Sequence, residues 1–94
     1  MSTALHVLVI YDLVEDKVRL KVANLCFDYG LDRIQYSAFY GKLTRTHQQE
    51  MIRRARRLLG KTEGKIQLIP IGEDDWQKRL ELKNDPGGDG ASDG

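Results

Sequence analysis

Hydrophobic and polar positions along the chain predict strands and helices in alternation. Residues 5–11 are mostly apolar β-formers and predict a first strand. Residues 33–40 alternate apolar and polar side chains, as a half-buried strand does. A third apolar run, 65–71, contains Pro70, which has no N–H to donate. We therefore expect the last of these strands to lie at an edge of the sheet or to end at the proline.

Two segments between these strands follow the helical period. Residues 15–29 predict a first helix that ends at Gly30. A second helix is predicted from Thr46, with Gln49 at capping-box spacing, to Gly60. The apolar stripes that these helices would bury are Val18, Val22, Leu25, Cys26 and Tyr29 in the first, and Met51, Ile52, Ala55, Leu58 and Leu59 in the second.

The order of these elements predicts an α+β fold, a ferredoxin-like βαββαβ sandwich with two helices on one face of an antiparallel sheet. This fold needs four strands, so residues 33–44 must supply two short strands or one bent hairpin, with an end or a bulge at Gly41. Leu80 and Leu82 alternate with charged residues within 76–83. That alternation predicts an extra short C-terminal strand, although a helix is also possible there.

The length and composition predict one small domain, covering residues 1–83. Residues 84–94 are rich in Gly and Asp and predict a disordered tail. A chain of 94 residues, 40% of them hydrophobic, forms one core, and folding at this size buries roughly 60–65% of the unfolded surface. Because one face of the sheet would stay uncovered, we expect a homodimer.

Charge and cysteine content narrow the classes of function. The formal net charge is only +1 although 31% of residues are charged, so nucleic-acid binding would need local patches. No apolar run approaches the roughly 20 residues of a membrane span, and no basic-then-apolar leader opens the chain. The lone Cys26 cannot form an internal disulfide. We expect a cytoplasmic protein that does not enter membranes.

Asp12 follows the apolar run of the first strand and is the first candidate for chemistry. It is interpreted either as a turn residue or helix cap, paired with Glu15, or as a metal-binding carboxylate. Mg²⁺ is often held by one or two protein carboxylates together with waters and phosphate oxygens. A two-fold dimer that brings Asp12 next to its own copy would supply two carboxylates, which fits metal-assisted phosphodiester cleavage.

A second candidate is the basic run "RRARR" in the second helix, which contains Arg53, Arg54, Arg56 and Arg57. These side chains should face water, either as an ordinary solvated surface or as a patch that follows a phosphate backbone. Arginine can bind phosphate with two parallel hydrogen bonds, so four arginines are more suggestive of the second interpretation than four lysines would be. Arg19, Lys21 and Arg33 would add to the patch if both helices share one face.

The strand at 33–40 offers weaker candidates. Ser37 is placed to touch a phosphate and Phe39 to stack on a base, but such residues more often pack or line a dimer interface. His6 and Cys26 are interpreted as core residues, and His47 as an exposed residue. None of them has a partner at the spacing of a zinc site or a catalytic triad.

Three segments in this order resemble the CRISPR-associated proteins numbered two in the Cas series, the partners of the spacer integrase. They are "VIYDL" in the first strand, "KVRLKVANLCFDYGLDRIQYSAFYGKL" from the first helix into the second strand, and "IQLIPI" in the last strand. The resemblance covers roughly residues 5–82. It implies a ferredoxin-like fold, a homodimer, a metal-dependent endonuclease activity on RNA or DNA, and a part in spacer acquisition for antiviral defence.

The resemblance also implies roles for particular residues. By position, the functional residues of the family fall on Tyr11, Asp12, Arg19, Arg33, Ser37 and Phe39. A second basic residue, two positions after the helix arginine in many members, is Lys21 here. Lysine keeps the positive charge but cannot form the bidentate hydrogen bonds that a guanidinium makes to a phosphate.

Two interpretations of different class follow from the resemblance. In the first, the protein is a magnesium-dependent endonuclease, with Mn²⁺ as a possible replacement, and uses Asp12 and Tyr11 as catalytic residues with Asp12 from both subunits. In the second, it is an adaptor that holds duplex DNA between integrase dimers, and its arginines matter while Asp12 does not. A third interpretation is a toxin-like ribonuclease that cuts single-stranded RNA.

Overall fold

The computed structural model describes residues 3–84, so the predicted tail lies outside the described residues except for Asn84. Along this part of the chain the elements are β1 (Leu5–Leu13), α1 (Asp16–Asp28), β2 (Asp32–Gln35), β3 (Ala38–Leu43), α2 (Arg45–Leu59), β4 (Gly64–Ile71) and α3 (Glu73–Gln77). No helix within this range is both long and apolar enough to cross a lipid bilayer.

The four strands form one sheet in the order β2-β3-β1-β4, and every neighbouring pair is antiparallel. This order, with α1 and α2 in the connections, is the predicted ferredoxin-like arrangement. Residues 33–44 do supply two strands, joined by a turn at Tyr36 and Ser37. The irregularity in the register lies between Arg33 and Gln35 rather than at Gly41.

The core lies between the sheet and the two long helices. Alternate residues of β1 point into it, and helices α1 and α2 bury one stripe each against them. The buried apolar residues of these three elements are Val7, Val9, Tyr11, Leu13, Val18, Val22, Ala23, Leu25, Cys26, Met51 and Ala55. Burial raises the pKa of the Cys26 thiol to about 12, so this cysteine is an unreactive core residue, as predicted.

The ends of the helices agree with the predicted glycine stops and correct the predicted starts. Gly30 and Gly60 follow α1 and α2 with φ of 76° and 54°, a left-handed conformation that favours glycine. Helix α2 is capped by Thr44, whose hydroxyl accepts a hydrogen bond from the His47 N–H at 3.2 Å, so it starts before the predicted Thr46. The predicted Asp12–Glu15 capping pair is wrong, because Asp12 lies inside β1.

The other face of the sheet carries helix α3 in place of the predicted extra strand. Residues 78–84 have no regular structure, and the side chains of Leu80 and Leu82 are 98% and 97% exposed. The prediction of a C-terminal strand is therefore wrong for the single chain, because an alternating segment forms a strand only where a neighbouring strand offers hydrogen bonds. Helix α3 covers only the end of this face that contains His6.

Candidate functional site

Asp12 lies on the sheet face opposite the two long helices. It sits inside β1, where it pairs with Lys65 of the edge strand β4, and the strand continues to Leu13. Its side chain is exposed, and no cationic side chain among residues 3–84 lies within ion-pair distance of its carboxylate. Asp12 is therefore neither a turn residue nor a helix cap, and its role as a metal-binding carboxylate stays a prediction.

Gly64 holds the backbone next to Asp12 in place. It starts β4 with φ of 152°, and a Cβ at this position would lie 2.7 Å from the Asp12 carbonyl oxygen. Only glycine allows this approach, since any larger residue would push β4 away from β1. The carboxylate is thus held on the β4 side of β1, whereas the ladder between β1 and β3 ends at Ile10.

A metal at Asp12 would need donors from outside a single chain. Within residues 3–84, no three His, Cys, Asp or Glu side chains come together to hold an ion. One exposed carboxylate suits Mg²⁺ only when further oxygen ligands are supplied. The donor chemistry of Asp12 therefore fits Mg²⁺ only if waters, phosphate oxygens or a second carboxylate complete the coordination.

Tyr11, the other predicted catalytic residue, points to the opposite face of the sheet. Its side chain is buried and stacks on Phe39, with ring centroids 6.3 Å apart. Successive side chains of a strand alternate between faces, so Tyr11 and Asp12 cannot act on one substrate atom from the same chain. A catalytic role for Tyr11 stays a prediction, and its observed contacts are those of a core residue.

Arg19 is largely occupied by the chain itself. Its Nη1 donates a hydrogen bond to the Leu13 carbonyl oxygen at 2.7 Å, and its guanidinium pairs with Asp16. These contacts tie the start of α1 to the end of β1. Its Nε is buried and has no partner within the described part of the chain. A phosphate at Arg19 would compete with these internal bonds.

Arg33 lies nearby in a surface cleft on the helix side of the sheet. This cleft, hereafter the turn cleft, is lined by Tyr11, Asp16, Arg19, Leu20, Arg33 and Tyr36. The Arg33 Cζ lies 5.1 Å from the ring centroid of Phe39 and 5.9 Å from that of Tyr36. The structure thus brings Arg19, Arg33 and Tyr11 together, but on the face away from Asp12.

The prediction that Phe39 stacks on a base is wrong. Phe39 is 0% exposed and lies opposite Val9 in the ladder between β3 and β1, so both side chains point under the helices. Ser37 is half-buried in the turn, and its carbonyl oxygen accepts a hydrogen bond from the Tyr11 N–H at 3.1 Å. A phosphate contact by the Ser37 side chain stays a prediction.

The four arginines of α2 face water, as predicted, but they lie along two edges of the helix. Arg54 and Arg57 line a groove between α1 and α2, together with Lys21. Arg53 and Arg56 lie on the side that borders β4. The two helices therefore do share one face, and it carries two rows of cationic residues, hereafter together the basic surface: Lys21, Arg54 and Arg57 along one edge, and Arg53 and Arg56 along the other.

Arg54 has the most defined surroundings of these arginines. Its Nη1 donates a hydrogen bond to the Tyr29 hydroxyl at 3.3 Å, and Nη2 lies 3.9 Å from a carboxylate oxygen of Asp28. The hydrogen bond to Tyr29 is the main cause that raises the pKa of the Arg54 guanidinium. Among residues 3–84, Arg53, Arg56 and Arg57 form no ion pair, so their charge is available to an anionic partner.

Tyr36, which is 72% exposed in the turn between β2 and β3, is a candidate that the sequence pattern does not indicate. The alternation of residues 33–40 placed it inside a strand. One signal was present: if residues 33–44 must form two strands, a turn has to fall near their middle, and a turn residue is exposed.

A family model described as "CRISPR associated protein Cas2" matches residues 5–79, which include every strand and all three helices. The chain belongs to the Cas2 family. The resemblance inferred from "VIYDL" and the segments after it is therefore confirmed.

Relatives in the Cas2 family carry names that state an activity. A protein of Desulforudis audaxviator named CRISPR-associated endoribonuclease Cas2 is 48% identical over 68 residues, which are 72% of this chain and 64% of that protein. The chain thus spans less than two thirds of that relative. A protein of Chloroflexus aurantiacus named CRISPR-associated endoribonuclease Cas2 2 is 47% identical over 77 residues, 81% of this chain and 89% of that one.

Two further Cas2 relatives bear on assembly and on fold. A Thermoproteus tenax protein named CRISPR-associated endonuclease Cas1/endonuclease Cas2 fusion is 39% identical over 72 residues, 74% of this chain and 27% of the fusion. A crystal structure of Streptococcus pyogenes Cas2 superimposes with a TM-score of 0.71 at 29% identity, over 85% of this chain and all of that one. The fold described above is the fold of a Cas2 protein.

Proposed function

We propose that this chain is a CRISPR adaptation protein that acts as a homodimer and cleaves phosphodiester bonds of RNA or DNA with Mg²⁺ or Mn²⁺. The observation that carries the proposal is Asp12, an exposed carboxylate without an ion-pair partner in the described residues, on a rigid strand. Support comes from the relatives named endoribonucleases. The buried thiol of Cys26 suits the cytoplasmic location expected from the sequence.

The face that carries Asp12 favours a two-fold partner. Leu8 and Ile10 are half-buried there, and Ile69, opposite Leu8 on β4, is 38% exposed. Leu80 and Leu82 are fully accessible on the segment that follows α3. Packing two such faces together would bury these side chains and place both Asp12 carboxylates in one interface. The segment with the two leucines would then have a partner's sheet to pair with.

In this dimer, Asp12 from each subunit would hold the metal ion. A bound Mg²⁺ supplies a hydroxide nucleophile and stabilises charge at phosphorus. The chain itself contributes the positions of the two carboxylates, which β1 and Gly64 fix, and exposed arginines that attract the phosphate backbone. The basic surface and Asp12 lie on opposite faces, so the arginines would bind distant parts of the nucleic acid rather than the scissile phosphate.

The test of catalysis is Asp12→Asn, which keeps the size of the side chain and removes its charge. We expect metal-dependent cleavage to fall by at least about 100-fold, a loss typical of a catalytic group, while the dimer and its circular dichroism stay unchanged. Glu50→Gln is the control, since Glu50 is an exposed carboxylate on α2, on the other face of the sheet. Cleavage at the wild-type rate by Asp12→Asn would remove the catalytic assignment.

A second candidate function is an adaptor that holds duplex DNA for the integrase. It is favoured by the exposed arginines of α2 and by the relative named as a fusion of Cas1 and Cas2. If the protein is an adaptor, Asp12→Asn should leave spacer integration unchanged. The assay measures integration of linear duplex DNA by the partner integrase. If integration stops while the complex still assembles, the adaptor interpretation fails.

The basic surface can be tested separately from Asp12. Arg53→Glu with Arg57→Glu should weaken duplex binding and flatten its dependence on salt concentration, because fewer counterions are released. The matched control is Arg53→Lys with Arg57→Lys, which keeps both charges and should keep the slope. An unchanged slope in the glutamate variant would identify the surface as an ordinary solvated helix face.

A further inference from the structure

The turn cleft contains an exposed aromatic ring, that of Tyr36. The Tyr36 side chain is 72% exposed in the turn between β2 and β3. Leu20, which lines the same cleft, is 64% exposed. Large apolar side chains exposed side by side on a small protein commonly mark a binding surface. Tyr36 therefore offers an open ring face to a ligand.

Arg33 adds a charge with free hydrogen-bond donors beside this ring. Within residues 3–84 no carboxylate lies within ion-pair distance of Arg33, and the Asp16 carboxylate in the cleft is paired with Arg19. The Arg33 guanidinium lies near the rings of Phe27, Phe39 and Tyr36. A guanidinium beside aromatic rings keeps N–H groups at its edge for an anion, and phosphate fits two of them at once.

From this pairing we propose that the turn cleft binds one unpaired nucleotide, whose base stacks on Tyr36 and whose phosphate bonds to Arg33. This site rests on the proposed function, since it assumes that the chain binds nucleic acid. Stacking requires an accessible base face, which a continuous duplex does not offer, so the ligand is a single strand or a single-stranded end. Tyr36 takes the role that the buried Phe39 cannot perform.

The position of the cleft separates binding from cleavage. Tyr36 and Arg33 lie on the helix side of the sheet, and Asp12 lies on the other side. A nucleotide in the cleft is therefore an anchor for the strand and is not the nucleotide that would be cut. Tyr36→Leu, which alters the anchor alone, should therefore lower the affinity for single strands and raise KM more than it changes kcat of any cleavage.

The experiment is a fluorescence-anisotropy titration of the full chain with labelled ten-nucleotide single strands and a blunt duplex. Tyr36→Leu keeps the bulk of the side chain and removes the ring, whereas Tyr36→Phe keeps the ring and removes the hydroxyl. We expect Tyr36→Leu to weaken single-strand binding about 5- to 100-fold, the range for the loss of one base–aromatic stack, and Tyr36→Phe to stay within about twofold. Parallel titrations with a DNA strand and an RNA strand of the same sequence show which of the two nucleic acids the turn cleft binds.

The fluorescence of a tryptophan placed at position 36 gives an independent measurement of base stacking. In Tyr36→Trp, a stacking base should quench the new tryptophan emission, and a strand of abasic nucleotides should not. Wild-type protein, with Trp76 alone, provides the background signal. Arg33→Gln should weaken binding of both the normal and the abasic strand, because the phosphate contact does not depend on the base.

The outcomes distinguish this site from the proposed function. If Tyr36→Leu binds single strands as tightly as wild type while both bind duplex, the turn cleft is not a nucleotide site and the proposed function stands. If wild-type protein binds neither single strands nor duplex, the proposed function fails and the site fails with it. Equal weakening by Tyr36→Leu and Tyr36→Phe would assign the contact to the hydroxyl and overturn the stacking role.

Discussion

Two polar residues on the same face of β1 have opposite surroundings. His6, at one end of that face, is buried: its Nδ1 is 2.7 Å from the Tyr40 hydroxyl, and its Nε2 is 2.5 Å from a Glu73 carboxylate oxygen. Asp12, six positions further on, is exposed, and no cation of the described chain pairs with it. The difference shows that one end of this face is covered by the chain itself and the other is exposed to solvent.

Helix α3 causes this difference. Trp76 stacks on Tyr40, with centroids 4.2 Å apart and planes 2° apart, and on His6, with centroids 5.0 Å apart. Arg79 lies over the outer side of the Trp76 ring, with its Cζ 3.9 Å from the centroid. These stacked side chains exclude water from His6. Asp12 lies beyond the reach of α3 and keeps its solvent.

The largest expected difference between the two ends is in stability. His6→Ala removes a buried ring and leaves the Tyr40 hydroxyl without its partner, so we expect a loss of about 2–4 kcal/mol in the free energy of unfolding. Asp12→Ala, on the same face of the same strand, should change that free energy by less than about 0.5 kcal/mol. Urea unfolding followed by circular dichroism measures both. Equal losses would mean that Asp12 is also a structural residue.

Gly64→Ala should be the next largest effect, because it strains the backbone beside Asp12. The added Cβ would meet the Asp12 carbonyl oxygen, and the residue would keep φ near 152°, at a cost of about 1–3 kcal/mol. Gly72→Ala is the control, since a Cβ there meets nothing within 4 Å. A Gly64→Ala protein as stable as Gly72→Ala would show that β4 is not held closely against Asp12.

Trp76→Ala should destabilise the covered end by a comparable amount. It removes the stack on Tyr40 and His6, and each aromatic pair contributes about 0.5–1.5 kcal/mol beyond burial. We expect faster amide hydrogen exchange in α3 and around His6, and unchanged exchange around Asp12. Faster exchange spread evenly over β1 would contradict the division of this face into two independent ends.

The smallest expected effect is on the pH dependence of the Tm. Hydrogen bonds from His6, and then from Gln77, hold the pKa of the Glu73 carboxyl below its ordinary value of 4.5, with a further contribution from Lys42. Because the folded-state pKa is the lower one, the stabilisation is complete above pH 4.5 and is lost as the pH falls through the folded-state pKa. We expect the Tm of wild type to drop more steeply below pH 4.5 than that of Glu73→Gln. Parallel curves would show that the Glu73 charge contributes nothing.

Local pattern in the sequence was enough for the main elements and for the family. The apolar runs and the helical stripes located β1, α1, α2 and β4 to within a few residues, and the glycines marked the ends of both long helices. These features depend on neighbouring residues, which the sequence displays directly. The requirement of the fold for four strands also predicts the β2–β3 hairpin, which the structure contains.

The identities of the exposed and buried side chains around the site were harder to predict. Phe39 and Tyr36 are both aromatic and three positions apart, yet one is in the core and the other in solvent. The irregularity between Arg33 and Gln35 and the turn at Tyr36 decide this, because a shift of one residue exchanges the two faces of a strand. No local pattern in residues 33–40 indicates where that shift occurs.

The sequence by itself determined that this chain is a ferredoxin-like Cas2 protein with a carboxylate at Asp12 and a basic second helix. Only the tertiary structure decided which polar side chains have hydrogen-bond or ion-pair partners within the described chain. His6 is satisfied by Tyr40 and Glu73, which are 34 and 67 positions away along the chain. Contacts of such long range depend on how strands and helices pack, and this packing buries His6 and leaves the side chains of Asp12 and Tyr36 exposed.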